Sequence, residues 1–166
     1  WSFWANSASN SEAKIVGVCS MDMTAKVQRK MRTSCQIEIM ILPSLVVAPS
    51  SLHGRGVFTT TSLAENYVIE ISPVIVMSAA DRLHLDQTLL HDYIFEWGQN
   101  RQSCCMALGY VPIYNHGCPS NCEYEMDFEE GLIRIKTMRA IEVGEELLIN
   151  YHGDAANAEL VWFNAQ

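Results

Sequence analysis

Three short stretches hold residues whose types and spacing could do chemistry on a bound cofactor. The first is His53-Gly54-Arg55-Gly56-Val57-Phe58. Two glycines around one residue let the backbone come close to a ligand and present its N–H groups. Taken alone, a turn between strands is the simpler explanation. The third glycine and the helix of a dinucleotide fingerprint are missing. The second stretch is Tyr114-Asn115-His116-Gly117-Cys118-Pro119-Ser120-Asn121-Cys122. It reads as a constrained polar loop able to donate to and accept from the edge of a heterocycle. An ordinary turn, with its His satisfied by backbone, accounts for it equally well. The third is Gly144-Glu145-Glu146-Leu147-Leu148-Ile149-Asn150-Tyr151, an acidic turn leading into an apolar strand. By itself it is a core strand with a tyrosine at its rim.

The elements that must position these stretches are mostly short strands. Leu45 to Ala48 is extended and ends at a Pro-Ser-Ser turn. Val57 to Thr60 resumes after the glycines. Tyr67 to Met77 is β-branched and apolar, with Pro73 marking an edge or bulge. Ser78 can cap a helix with Asp81 in its first turn, and the pattern predicts that helix to about Leu90. Asp92 to Trp97 reads as extended. Residues 122–127 and 132–137 are predicted to pair as a hairpin across Glu129-Glu130-Gly131. Leu147 to Tyr151 is a last strand. The class is mainly β with one short helix.

Composition bounds the function. The chain has 166 residues, 49% hydrophobic and 18% charged, enough for one domain with a core. No apolar run approaches the roughly 20 residues of a membrane helix, and no basic start with an apolar block suggests a signal peptide. The net charge is −8. Residues 1–40 hold five Lys/Arg against three Asp/Glu, and the remainder six against sixteen. An acidic body disfavours direct nucleic-acid binding and suits a basic protein partner, although acidity also serves solubility. The six cysteines form no C-x-x-C pair, so free thiols in an intracellular setting are expected and no metal. Residues 1–39 lack a sustained period and read as an N-terminal extension, disordered or non-native, with Met40 a candidate start. Residues 40–166 are the expected domain.

In this order, H-G-R-G-V-F, Y-N-H-G-C and G-E-E-L…N-Y resemble the SET domain of protein lysine methyltransferases, in its compact form without zinc-binding flanking modules. Asp92-Tyr93-Ile94-Phe95-Glu96-Trp97 and Ala107-Leu108-Gly109-Tyr110 are similar to the segments that lead into the Asn-His motif of small SET proteins. The resemblance covers Met40 to Phe163. It implies a β-clip type fold of short strands with a C-terminal pseudoknot that brings Tyr151 beside Asn115. It implies S-adenosylmethionine (SAM) as cofactor, held by Gly54, Arg55, Gly56, Asn115, His116 and Tyr151, with Trp162 in an aromatic tail that closes the site. It gives Tyr151 the role of central catalytic tyrosine. Tyr93 becomes a channel wall, and Tyr124 a position that limits how many methyls are added. The substrate implied is a lysine of a basic protein, such as a histone tail, in nucleus or cytoplasm. Two copies could pair to complete the substrate groove.

The loop departs from the family pattern. Gly117 stands where Ser is usual, and Pro119-Ser120 inverts the customary order before Asn121. Ile149 stands where an aromatic is common. One alternative is therefore a SET-like module that binds a protein tail without catalysis. Another is a thiol hydrolase using Cys105 or Cys118 with His116, although neither Cys opens a helix. A third is a purely structural β-domain.

Overall fold

The computed structural model describes residues 38–153. Ten strands and one α-helix follow in the order β1 Met40–Ile41, β2 Leu45–Pro49, β3 Arg55–Thr59, β4 Val68–Met77, α1 Ala79–Leu85, β5 Phe95–Trp97, β6 Ser103–Ala107, β7 Asn115–His116, β8 Cys122–Asp127, β9 Leu132–Thr137 and β10 Glu146–Ile149. Short 3-10 turns occupy Leu89–Tyr93 and Val111–Ile113. The mainly-β reading with one short helix therefore holds.

Two curled sheets share the core. One has the order β5-β6-β4-β9-β8, with β1 also on β4; the other runs β2-β3-β10-β7. The β8–β9 hairpin pairs Cys122 with Thr137 through Asp127 with Leu132, as the sequence predicts. Strand β4 changes partners at Pro73. Its ladder with β9 ends there, and its ladder with β6 begins at Val74. A proline that cannot donate is tolerated at such a junction. Alternation along β9 and β10 sends Ile133, Ile135, Leu147 and Ile149 inward, fully buried with Val57, Ile69 and Tyr114.

The helix is shorter than its apolar pattern predicts. It opens on a capping box between Ser78 and Asp81 and ends at Leu85. Thr88 is extended, and its hydroxyl donates to the Leu85 carbonyl and accepts from the Leu90 N–H. That local bonding ends one helix and starts the 3-10 turn, which also takes Asp92 and Tyr93 out of the expected strand. The last strand likewise stops at Ile149. Asn150 turns the chain by accepting the His152 N–H on its side chain and the Gly153 N–H on its backbone carbonyl. Tyr151 thus sits in a turn just beyond β10.

Candidate functional site

The connection that builds the site is a parallel pairing of β10 with β7, matching Leu148 to Asn115 and Ile149 to His116. On its other side β10 lies antiparallel to β3, opposite Val57 and Phe58. Strand β10 is therefore wedged between the Gly-rich segment and the Asn-His segment, the crossing expected of a pseudoknot. Gly117 packs closely on it: a Cβ there would lie 2.8 Å from Leu148 Cδ1 and 2.9 Å from its Cβ. A serine at this position would push β10 away. The departure in the loop is thus matched by Leu148.

Around Gly56 the polar side chains form a frame. Asn115 Nδ2 donates toward the His53 carbonyl (3.1 Å), the Arg55 carbonyl (3.2 Å) and Glu146 Oε1 (2.8 Å). Glu146 also accepts from Ser50 at 2.9 Å. A Cβ on Gly56 would lie 2.0 Å from Glu146 Oε1, so this glycine is demanded by the protein's own carboxylate. Gly54 differs. Its φ is +47°, and nothing lies within 4 Å of where a Cβ would be. Asn121 extends the frame, donating to the Glu146 carbonyl (2.8 Å) and accepting the Leu148 N–H (2.7 Å). Asn121 and Glu146 carry no role in the sequence reading, although both lie inside its motifs.

On the other side lies a cavity of about 600 Å³ whose lining includes Tyr93, Phe95, Tyr124, Met126, Tyr151 and His152. That volume falls in the range of small-molecule sites. Tyr151 donates to the Tyr114 carbonyl at 2.9 Å, and Tyr124 to the Tyr151 carbonyl at 3.3 Å. Burial, and then the proximity of Tyr93 and Asp92, push the Tyr151 phenol up to about 12. Burial raises Tyr124 as well. Both hydroxyls keep their protons at neutral pH and act as donors, not bases. The structure brings Tyr93, Tyr124 and Tyr151 to one cavity, while Asn115 bonds to the Arg55 carbonyl and lies close to Gly56.

His116 joins the two regions. Its ring lies 5.3 Å from that of Tyr151, and its Nδ1 accepts the Tyr151 N–H at 3.3 Å. An accepting Nδ1 requires the neutral ring with its proton on Nε2. Burial, helped by nearby His152, lowers the His116 pKa and favours that state. Tyr151 accordingly lies against His116 and bonds to the carbonyl of Tyr114, the residue before Asn115. Trp162, with Phe163, lies outside the described residues.

Beneath the Asn-His segment sits a carboxylate with no place in the sequence reading. Glu70 on β4 is fully buried. Its Oε1 accepts from Ser72 Oγ (2.7 Å), Tyr110 N (2.8 Å) and Val111 N (3.2 Å), and its Oε2 from the Tyr114 hydroxyl (3.0 Å). Burial pushes its carboxyl above the ordinary range, and the hydrogen bonds restrain that rise. The available signal was a lone Glu in the apolar run Val68-Ile69-Glu70-Ile71, since a buried charge needs partners.

Cys105 fails as a nucleophile. It is fully buried, and burial followed by Cys104 pushes its thiol up to about 12. Cys118 is exposed on the loop after His116.

The SET-domain family pattern matches residues 54–152. A curated relative, "Histone-lysine N-methyltransferase, H3 lysine-37 specific" of Schizosaccharomyces pombe, is 32% identical over 113 residues, covering 68% of this chain and 76% of the relative. The chain belongs to the SET-domain family. Solved structures agree on the fold. A candidate histone methyltransferase of Plasmodium falciparum superposes with a TM-score of 0.51 at 24% identity, covering 67% of this chain and 95% of that one. An autoinhibited Polycomb repressive complex 2 bound to S-adenosylmethionine gives 0.57 at 18% identity, covering 66% of this chain and 15% of that one.

Proposed function

We propose that the chain is a SAM-dependent protein-lysine N-methyltransferase acting on a lysine of a basic protein, a histone tail foremost. The observation that carries this reading is the β7–β10 pairing. Beyond it the Tyr151 hydroxyl bonds to a backbone carbonyl at an aromatic-lined cavity, and β10 also pairs with the strand that follows the glycines. The intracellular, and for histones nuclear, setting follows from the substrate.

The residues fit the cofactor in a particular way. Gly54 leaves open space beside a left-handed backbone, so a ligand can approach the Gly54 and Arg55 main chain. Asn115 and Gly56 are engaged with Glu146, so their part is to hold that backbone in place. Aromatic faces of Tyr93, Phe95, Tyr124 and Tyr151 suit the sulfonium cation. When bound, SAM supplies an electrophilic methyl on a sulfonium centre that leaves as a neutral thioether.

The protein's share is geometry and desolvation. A free lysine amine has a pKa of about 10.4 and is mostly charged at neutral pH. A partly buried, aromatic cavity disfavours that charge and raises the neutral fraction. Protonated tyrosines orient the amine without competing as nucleophiles. Holding amine and methyl carbon at about 3–3.5 Å makes the step effectively intramolecular. Bound SAM would supply the methyl group, and the proton displaced from the amine would pass to solvent.

The test is calorimetric titration of SAM into the full chain, followed by transfer of labelled methyl from SAM to core histones. Saturable binding with label on histone lysine is the expected result. A folded protein that binds a histone peptide but neither SAM nor label would replace this reading with that of a non-catalytic binding module.

A further inference from the structure

We infer that Glu70 is a positioning residue for the reaction, setting the hydroxyl of Tyr151 through Tyr114. The inference rests on the reading of Tyr151 as the hydroxyl that orients the amine. The chain of contacts is short and wholly internal. Glu70 Oε2 accepts the Tyr114 hydroxyl at 3.0 Å, and the Tyr114 carbonyl accepts the Tyr151 hydroxyl at 2.9 Å. Tyr114 is 1% exposed, so its ring has no alternative partner in water.

The same carboxylate fixes the backbone on the near side of Tyr114. Glu70 Oε1 takes the N–H groups of Tyr110 and Val111, where the 3-10 turn begins. Residues 110 to 114 are thus gripped at both ends by one side chain on β4. The carbonyl that Tyr151 needs cannot rotate while both grips hold. Gly109 shows how tightly the carboxylate is seated. Its φ is +116°, and a Cβ there would lie 2.5 Å from Glu70 Oε1 and 2.4 Å from Ser72 Oγ. A purely structural carboxylate could have met its needs from β4 and its neighbouring strands. This one spends all its described bonds, apart from Ser72, on the segment that ends at Asn115.

Glu70→Gln keeps the shape and an acceptor oxygen but places an N–H donor where one oxygen stood. Either the Tyr114 hydroxyl reverses or the two backbone N–H groups lose their acceptor. Tyr114→Phe cuts the same link from the other end and leaves the Tyr114 carbonyl in place. The experiment uses the full chain with 3-fluorotyrosine at position 151, read by fluorine NMR, beside steady-state kinetics on core histones. In either variant the position-151 resonance shifts or splits, while Glu125→Gln, an exposed control, leaves it unmoved. The kcat falls ~10- to 100-fold with KM for SAM and histone unchanged and full SAM stoichiometry, as a misplacement of about 1 Å would give. The double variant falls no further than the worse single one. Should Glu70→Gln not fold, Tyr114→Phe decides alone. An unmoved resonance in the folded variants overturns the proposal, as does a kcat loss matched by lost SAM-binding sites. If the parent transfers no methyl, the methyltransferase reading fails, and the fluorine signal still decides whether Glu70 sets Tyr151.

Discussion

Around Gly56 the polar side chains bond to one another and to nearby backbone: Asn115 to two carbonyls and Glu146, Glu146 to Ser50, Asn121 to the Glu146 carbonyl and the Leu148 N–H of β10. Around Tyr151 the described hydroxyl bonds go to backbone carbonyls, and aromatic faces line a cavity. The first arrangement fixes a main chain and has little side-chain capacity left for a ligand. The second keeps side-chain surface available for one. On the proposed function the glycine-rich region contributes shape, and the tyrosine region contributes contact with what reacts. Substitutions on the two sides should separate accordingly.

The largest expected effect is on the tyrosine side. Tyr151→Phe removes the hydroxyl on the Tyr114 carbonyl and should lower kcat ~100- to 1000-fold, the scale of losing one preorganised donor. SAM affinity should stay within about twofold, and calorimetry beside single-turnover transfer reads both. Loss of SAM binding in a folded Tyr151→Phe protein would mean that the two regions act as one.

Asn115→Ala is the converse. It deletes the contacts to His53, Arg55 and Glu146 and leaves a half-satisfied carboxylate, which costs about 1–3 kcal/mol of stability. SAM binding should weaken at least tenfold because the glycine-rich main chain is no longer held. Thermal unfolding and calorimetry together read this. Unchanged stability with lost binding would make Asn115 a direct ligand and dissolve the contrast drawn above.

These differences bear on what the sequence makes legible. The Gly54–Gly56 and Asn115–His116 stretches are local signatures, and the hairpin, the capping box and the turn at Gly144 are local too. The hairpin and the capping box read correctly because each is decided within a few residues. Glu70 bonds to residues 40, 41 and 44 positions away, and Asn121 to residues 25 and 27 away. Such partners are set by how β4 and β10 stack, which no short window contains. The helix end was misjudged for a related reason. Leu89 and Leu90 continue an apolar pattern, yet both are exposed, so burial does not enforce the helix and Thr88 is free to end it.

A smaller effect tests the frame by pH. Arg139, paired with Glu145, and then the hydrogen bonds from Glu142 N–H and Asn121 draw the Glu145 carboxyl down to about 2 from 4.5, against a modest opposing effect of burial. A depressed carboxylate adds stability above its unfolded pKa and loses it as pH falls through the folded one. The window is therefore about pH 4.5 down to 2. Melting temperature should fall through that window, and Glu145→Gln should flatten the fall. Because the pair is partly exposed, added salt should weaken the effect. A melting curve equally steep in Glu145→Gln would assign the acid sensitivity elsewhere.

Tyr124→Phe should change least in rate and most in product. The Tyr124 ring stands edge-on to Phe95 at 5.5 Å, and its hydroxyl spans to the Tyr151 carbonyl. Removing that oxygen frees the space of one oxygen atom, while the aromatic wall stays. The Tyr151 hydroxyl keeps its own acceptor on Tyr114, so the first methyl transfer should proceed within about twofold of the parent rate, since the lost bond is a single ordinary one. An amine that already carries a methyl needs room to turn its remaining lone pair toward the next donor. The hydroxyl at 124 takes that room and can also hold an amine in place. Mass spectrometry of histone peptides at matched turnover should show the di- and trimethylated share rising several-fold in Tyr124→Phe. An unchanged distribution would place the limit on methyl number at Tyr93 or at the cavity mouth, and would leave Tyr124 as a wall of the cavity alone.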